Sequence, residues 1–230
     1  MELHRIVFRL DFRNAFTLFN VWGNVLAHLS SSSFWTELSD SATPRAIFAR
    51  RVVQSSAELH VLTVEVNGIG GGFEAHPINS HREYLSAFED VTKIITMLNV
   101  EEFSRVGVRF FFLEAIDSFK AGLESVVSKV CQDYWGRFDE PPRDISITSI
   151  HGDKDQSVRL AVGPISKEEY RAWFSLPDRV RVENGIIVDV DCFGTAYKLK
   201  TFEFSKVVEL YFETAFAQAK HTANFLMGKE

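Results

Sequence analysis

Two stretches of this chain, set 100 residues apart, carry the same kind of alternation. In residues 4–13, Ile6, Phe8, Leu10 and Phe12 share one face of a strand, and Val7, Arg9, Asp11 and Arg13 share the other. At the offset of 100, Arg5 matches Arg105, Arg9 matches Arg109, Phe12 matches Phe112, Ala15 matches Ala115 and Phe19 matches Phe119. A strand with one polar face belongs to an antiparallel sheet packed on one side. Repetition of such a strand predicts two related lobes, residues 1–103 and 104–230.

The segments between fit that division. A helix is predicted from Asn14, with Phe16, Phe19, Trp22, Leu26 and Leu29 at helical spacing. Strands follow at 45–54 and 58–66, and His60, Leu62, Val64 and Val66 share a face of the second. Gly68, Gly70, Gly71 and Gly72 read as a turn or bulge before a short strand near Phe73. Ser80 and Glu83 form a capping box, and Tyr84, Phe88, Val91, Ile95 and Leu98 then make an apolar stripe. In the second lobe a strand at 105–113 leads to a helix from about Asp117. Its inward residues are Phe119, Leu123, Val126, Val127 and Val130, and Pro141-Pro142 stops it. Strands are predicted at 144–150 and 157–163. A short helix at 166–175, opened by the capping pair Ser166 and Glu169, is an insertion between strands. Residues 179–183 and 186–193 form a hairpin across Asn184-Gly185, a short strand follows near 198–202, and a last helix runs from Ser205 to about Met227.

The expected fold is α+β: duplicated curved antiparallel sheets, each packed on a long helix. This is a helix-grip arrangement, and in duplicate its element order resembles the saddle of TATA-binding proteins. A likeness of element order carries no function. Such a saddle would clamp DNA if its open face were basic and bore apolar wedges. Arg9, Arg13, Arg50, Arg51 and Arg109 offer some charge. However, 25 Lys and Arg stand against 31 Asp and Glu, and neither lobe is basic, which argues against nucleic acid.

No run approaches the ~20 apolar residues of a membrane-spanning helix, and residues 1–8 alternate where a secretory signal would be continuously apolar. A soluble, cytoplasmic protein is expected, with Cys131 and Cys192 as buried free thiols. The seven histidines show no zinc spacing. Gly68–Gly72 lacks the Lys-Ser/Thr ending of a phosphate loop, and no Gly-x-Ser-x-Gly elbow occurs. No metal, cofactor or catalytic group is therefore expected.

Several residues remain as binding candidates. Asp189 and Asp191 share a strand face and could hold a metal or act as acid and base, but a solvent face is the preferred reading. His76 and His81 flank a loop before a helix start, where a pocket could form. Arg5, Arg9, Arg105 and Arg109, at equivalent points of two lobes, could grip an anionic ligand. Cross-strand pairing with Glu58, Glu65 and Asp189 is preferred for them. Phenylalanine, at 21 residues against 5 Tyr and 4 Trp, is in surplus. It fills two cores or lines a ligand cavity or partner surface. Phe34 and Trp35, in a serine-rich connection, are the expected exposed anchor for a partner.

Arg105-x-Gly107-x-Arg109-Phe110 at mid-chain and Asp189-x-Asp191 before the last helix together carry a likeness. The chain resembles a sporadically distributed family of bacterial and archaeal proteins of about this length and uncharacterised function. The family has no catalytic residues to carry over. Its patchy distribution is similar to that of mobile and antiviral defence genes, which implies a role beside a partner protein. The expected function is a non-catalytic binding module that acts on a protein partner or on itself as a homodimer. The alternatives are a helix-grip small-ligand binder or cavity enzyme, and a nucleic-acid clamp.

Overall fold

The computed structural model describes residues 1–13, 15–42, 45–53, 58–131, 142–153, 156–173, 182–195, 197–198 and 202–229, apart from the side chains at 41, 42, 45, 76, 197 and 198. Asn14, Pro141 and residues 179–181, which bear the predicted helix cap, helix stop and first hairpin strand, lie outside the described residues. Ten strands are described. They are β1 (Glu2–Phe12), β2 (Glu37–Ala42), β3 (Arg45–Val53), β4 (Glu58–Glu65), β5 (Gly68–Ile78), β6 (Glu102–Ala115), β7 (Ile147–Gly152), β8 (Gln156–Ser166), β9 (Asn184–Gly194) and β10 (Tyr197–Lys198). The helices are α1 (Thr17–Ser31), α2 (Leu85–Leu98), α3 (Phe119–Val126), α4 (Lys167–Trp173) and α5 (Phe204–Met227). All strand pairs are antiparallel, in one sheet ordered β2-β3-β4-β5-β1-β6-β9-β8-β7, with β10 beside β6.

The fold is thus α+β, but the strands of the two lobes join in a single sheet. The junction is β1 against β6, the two strands matched at the offset of 100. Phe8 faces Val108, Val7 faces Arg109 and Arg9 faces Gly107. One face of the junction is apolar throughout: Ile6, Phe8 and Leu10 of β1 with Val106, Val108, Phe110 and Phe112 of β6 are all buried. Ile186, Val188, Val190 and Cys192 of β9 continue it. Against this face lies a helix layer in which α1 touches α2, α2 touches α5 and α5 touches α3. The predicted stripe of α2 is buried in full. Phe204, Val208, Tyr211, Ala215, Ala219 and Leu226 form the inward stripe of α5. Among the described residues ten of the 21 Phe are buried, and each fully buried one contributes about 2–3 kcal/mol of transfer free energy.

Several local expectations are corrected. The glycine run is the interior of β5, and no turn. A Cβ on Gly71 would lie 2.6 Å from the Val61 carbonyl oxygen and 2.7 Å from the Phe8 ring, so the strand has no room for a side chain there. Asn184-Gly185 opens β9, with Gly185 paired to Ala115 and Ile165, because a Cβ at 185 would strike Leu113. The inward stripe of α1 is Leu18, Trp22, Val25 and Leu29, while Phe16 and Phe19 are 65% and 47% exposed. The helix starts at Thr17, which sets its phase off the predicted one. Val130 is exposed, since the chain widens into a π turn over Val127–Cys131. Cys131 is only half-buried and Cys192 buried, both as free thiols. Strand β2 carries no alternation strong enough to read in advance.

The inserted helix α4 begins as predicted. Ser166 N–H and Oγ both donate to Glu169 Oε2 at 2.8 Å, and Glu169 N–H donates back to Ser166 Oγ at 3.3 Å. It lies on the face of the sheet opposite the helix layer. There Tyr170 packs with Phe111, Leu113, Ile165 and Ile187 in a second, smaller core. No helix among the described residues is long and apolar enough to cross a membrane.

Candidate functional site

The face opposite the helix layer carries the four arginines singled out at the offset of 100. One row crosses the sheet from β3 to β7: Arg50, Val61, Gly72, Val7, Arg109, Asp191, Arg159 and Ile150 are successive neighbours. Arg5, Arg9, Arg105 and Arg109 all belong to this face, because they alternate with the buried positions of β1 and β6.

Each of the four lies beside a carboxylate. Arg9 donates from Nε to Asp11 at 2.7 Å and from Nη1 to Glu65 at 2.9 Å. To reach Glu65 on β4 its guanidinium crosses β5 over Gly68, where a Cβ would lie 2.7 Å from Arg9 Nη2. Arg109 makes two bonds with Asp189, through Nε at 2.6 Å and through Nη2, and lies over the Phe111 ring at 4.7 Å. Arg105 donates to Asp191 at 3.3 Å and covers Phe193 at 4.8 Å. Arg5 donates to the Trp173 carbonyl at 2.7 Å, with Glu74 at 3.9 Å. The preferred partners Glu65 and Asp189 are thus found, whereas Glu58 points to the other face and contacts His60.

Asp189 and Asp191 share a face as predicted, yet that face is no solvent surface. Asp189 is 4% exposed beneath α4. Burial pushes the Asp191 carboxyl above its ordinary range, against the pull of Arg105 and Arg109. A cavity of about 100 Å³ between α4 and β8–β9 includes Asp189, Glu169 and Trp173. It falls below the roughly 300 Å³ of ordinary ligand pockets.

Phe34 and Trp35 overturn the expectation of an exposed anchor: both are 6% exposed. The cause is Asp90 on α2, itself buried. Its Oδ2 accepts from Trp35 Nε1 at 3.2 Å and from Ser32 Oγ at 2.7 Å, and its Oδ1 lies 2.9 Å from His28 Nε2. A buried carboxylate needs several donors, and the loop turns inward to supply them. His76 lies on β5 with its side chain outside the described residues. His81 is buried, its ring 4.2 Å from that of Phe212, and burial lowers its pKa. Among the described residues no group of three or more His, Cys, Asp and Glu could hold a metal ion.

A second cluster escaped the sequence reading. Where the 3-10 turn His81–Tyr84 meets β3 and β4, Arg51, Glu58, His60, Glu83 and Tyr84 line a cavity of about 290 Å³. Arg51 stands directly opposite His60 in the sheet, and its guanidinium lies 4.9 Å from the Phe34 ring centre. The signal was present: His60 alternates with Leu62 and Val64 on the core face, and Glu58 precedes it on that same face. A charged and a titratable group on a core face mark a polar site. The chain matches no family model and no curated protein sequence.

Proposed function

We propose that the chain is a non-catalytic interaction module of two related lobes, and that the open face of its first lobe receives a protein partner or a second copy of the chain. One asymmetry carries this reading. In the second lobe α4 lies on the open face and buries Phe111, Leu113, Ile165 and Ile187. In the first lobe, among the described residues, no helix occupies that face, and Phe48 and Val61 are each 40% exposed. Burying either fully is worth at most about 1.5–3 kcal/mol. A partner segment lying where α4 lies on the other lobe would gain that contact. The register is consistent with that duplication: Phe8 faces Val108, its own counterpart at the offset of 100, where a pseudo-dyad between two related lobes would pass. The helix order α1-α2-α5-α3 fits the same pseudo-dyad and a saddle-like element order.

The four arginines already lie beside carboxylates, which weakens the nucleic-acid reading. An accessory role in a mobile or antiviral defence system is the cellular setting implied by the sequence likeness. A toxin, nuclease or nucleotide cyclase encoded beside this chain would support it. Multi-angle light scattering and a pull-down from the native host test the module itself. The expected result is a dimer or a captured partner that Phe48→Asp with Val61→Asp abolishes. A strict monomer that captures nothing overturns the reading.

A further inference from the structure

We infer that the cavity beside β4 binds a small amino acid in its zwitterionic form, with the ligand carboxylate on Arg51 and its ammonium group facing Glu58 and Glu83. The inference is independent of the open-face reading and shares no residue with it.

The argument begins with opposite charges that share one cavity and do not pair. Arg51 and Glu58 come from the ends of β3 and β4, Ser33 from the link after α1, and Glu83 with Ser86 from the turn into α2. Arg51 is half-buried, and Phe34 holds its guanidinium in place. Nη1 donates to the Phe34 carbonyl at 3.4 Å, and the guanidinium carbon lies 4.9 Å from the Phe34 ring centre. These contacts use one N–H donor and leave the rest of the fork. Among the described residues Arg51 forms no ion pair. Yet two carboxylates line the same cavity. Glu58 is 28% exposed, with Oε2 at 3.2 Å from His60 Nε2, and Glu83 is exposed. All three charges act on one buried hydroxyl: burial, then Glu58 and Glu83, raise the Tyr84 pKa, and Arg51 lowers it. A guanidinium fixed in position, without a carboxylate of its own, is a ready partner for one brought by a ligand.

Charge and size narrow the class. A simple anion drawn to Arg51 also meets two carboxylates, and a simple cation drawn to those carboxylates meets Arg51. A ligand that carries both charges finds an opposite charge at each end. The cavity of about 290 Å³ stands at the low end of ligand pockets. That low end is roughly 300 Å³. Its walls are almost wholly polar, so a large apolar side chain would gain nothing there. The hydroxyls of Ser33 and Ser86 can donate or accept beside either charged group. A small, hydrophilic amino acid meets these demands together.

The test uses the full chain, labelled with 15N. The probes are glycine, L-serine and β-alanine, with acetate and methylammonium as single-charge controls at the same ionic strength. Two-dimensional 1H–15N spectra read the Arg51 Nε–H and the backbone amides of Ser33, Glu83 and Ser86. The expected result is a saturable shift of these signals with at least one amino acid and with neither control. Arg51→Gln, its fold checked by circular dichroism, should weaken that binding about tenfold. Glu83→Gln, at an exposed position that leaves the fold intact, should weaken it about threefold. The proposal fails if no amino acid saturates the signals, or if acetate or methylammonium moves them as strongly. It also fails if either folded variant binds the amino acid as tightly as the parent.

Discussion

Arg9 and Arg109 stand on either side of the Phe8–Val108 pair and solve one problem in two ways. Each is a cation on a half-open sheet face and needs a carboxylate. Beside Arg109, the neighbouring strand β9 supplies Asp191 directly opposite and Asp189 two residues away, and Asp189 is buried. Beside Arg9, the neighbouring strand β5 presents glycine instead. The side chain therefore lies flat across that strand and finds Glu65 one strand farther out. The first route buries the carboxylate beneath α4 while Arg109 stays 37% exposed, and the second leaves both partners more than a third exposed. One half of the open face is thus partly covered by α4, and the other carries no helix among the described residues.

That contrast can be broken by mutation, in descending order of effect. Tyr170→Ala removes the centre of the small core under α4 and should destabilise by about 3–5 kcal/mol in urea unfolding. Faster amide exchange over 167–173 should accompany it. If exchange there stays slow, α4 does not depend on that core. Arg109→Met leaves the Asp189 carboxylate buried without its main cation and should cost about 3 kcal/mol. This is the low end of the usual range because Arg109 itself is partly solvated. Gly71→Ala should cost about 2 kcal/mol by overpacking against Phe8. Gly72→Ala, whose Cβ would lie 3.4 Å from its nearest neighbour, should cost under about 1 kcal/mol. Arg9→Met should be smallest, below about 1 kcal/mol, as an exposed pair. An Arg9→Met loss equal to that of Arg109→Met would erase the distinction between the lobes.

Acid separates the lobes as well. In the first, burial lowers the His60 and His81 pKa values from 6.5, so the unfolded chain binds more protons below about that pH. Stability from this source is complete above pH 6.5 and falls as pH drops through that value toward the folded pKa. In the second, the Asp191 carboxyl is raised above 3.8, so the folded chain binds more protons in that window and gains stability as pH falls. Urea midpoints followed from neutral to mildly acidic pH should decline, and His60→Gln should flatten the decline. A decline unchanged in His60→Gln would place the effect on other groups.

Helix positions were largely legible in the chain, because capping pairs and 3.6-residue stripes are local. Ser166 with Glu169, and the stripe from Tyr84 to Leu98, stand as read. The four arginines were also placed on one face by simple alternation. The glycines of β5 and Asn184-Gly185 misled because their reason is steric and lies on other strands: the Phe8 ring, the Arg9 guanidinium and Leu113. Trp35 misled because its partner, Asp90, comes from 55 residues away.

By itself, then, the sequence determined the polar and apolar faces of single strands and the α+β character. These follow from periodicity within one element, where neighbours in the chain are neighbours in space. Only the tertiary structure decided that the strands of both halves form one sheet, that α4 covers part of one open face, and that His60 and Tyr84 line one cavity. Those outcomes depend on which distant surfaces touch. Such contacts are set by burial and by partner geometry across the sheet, which no local pattern encodes.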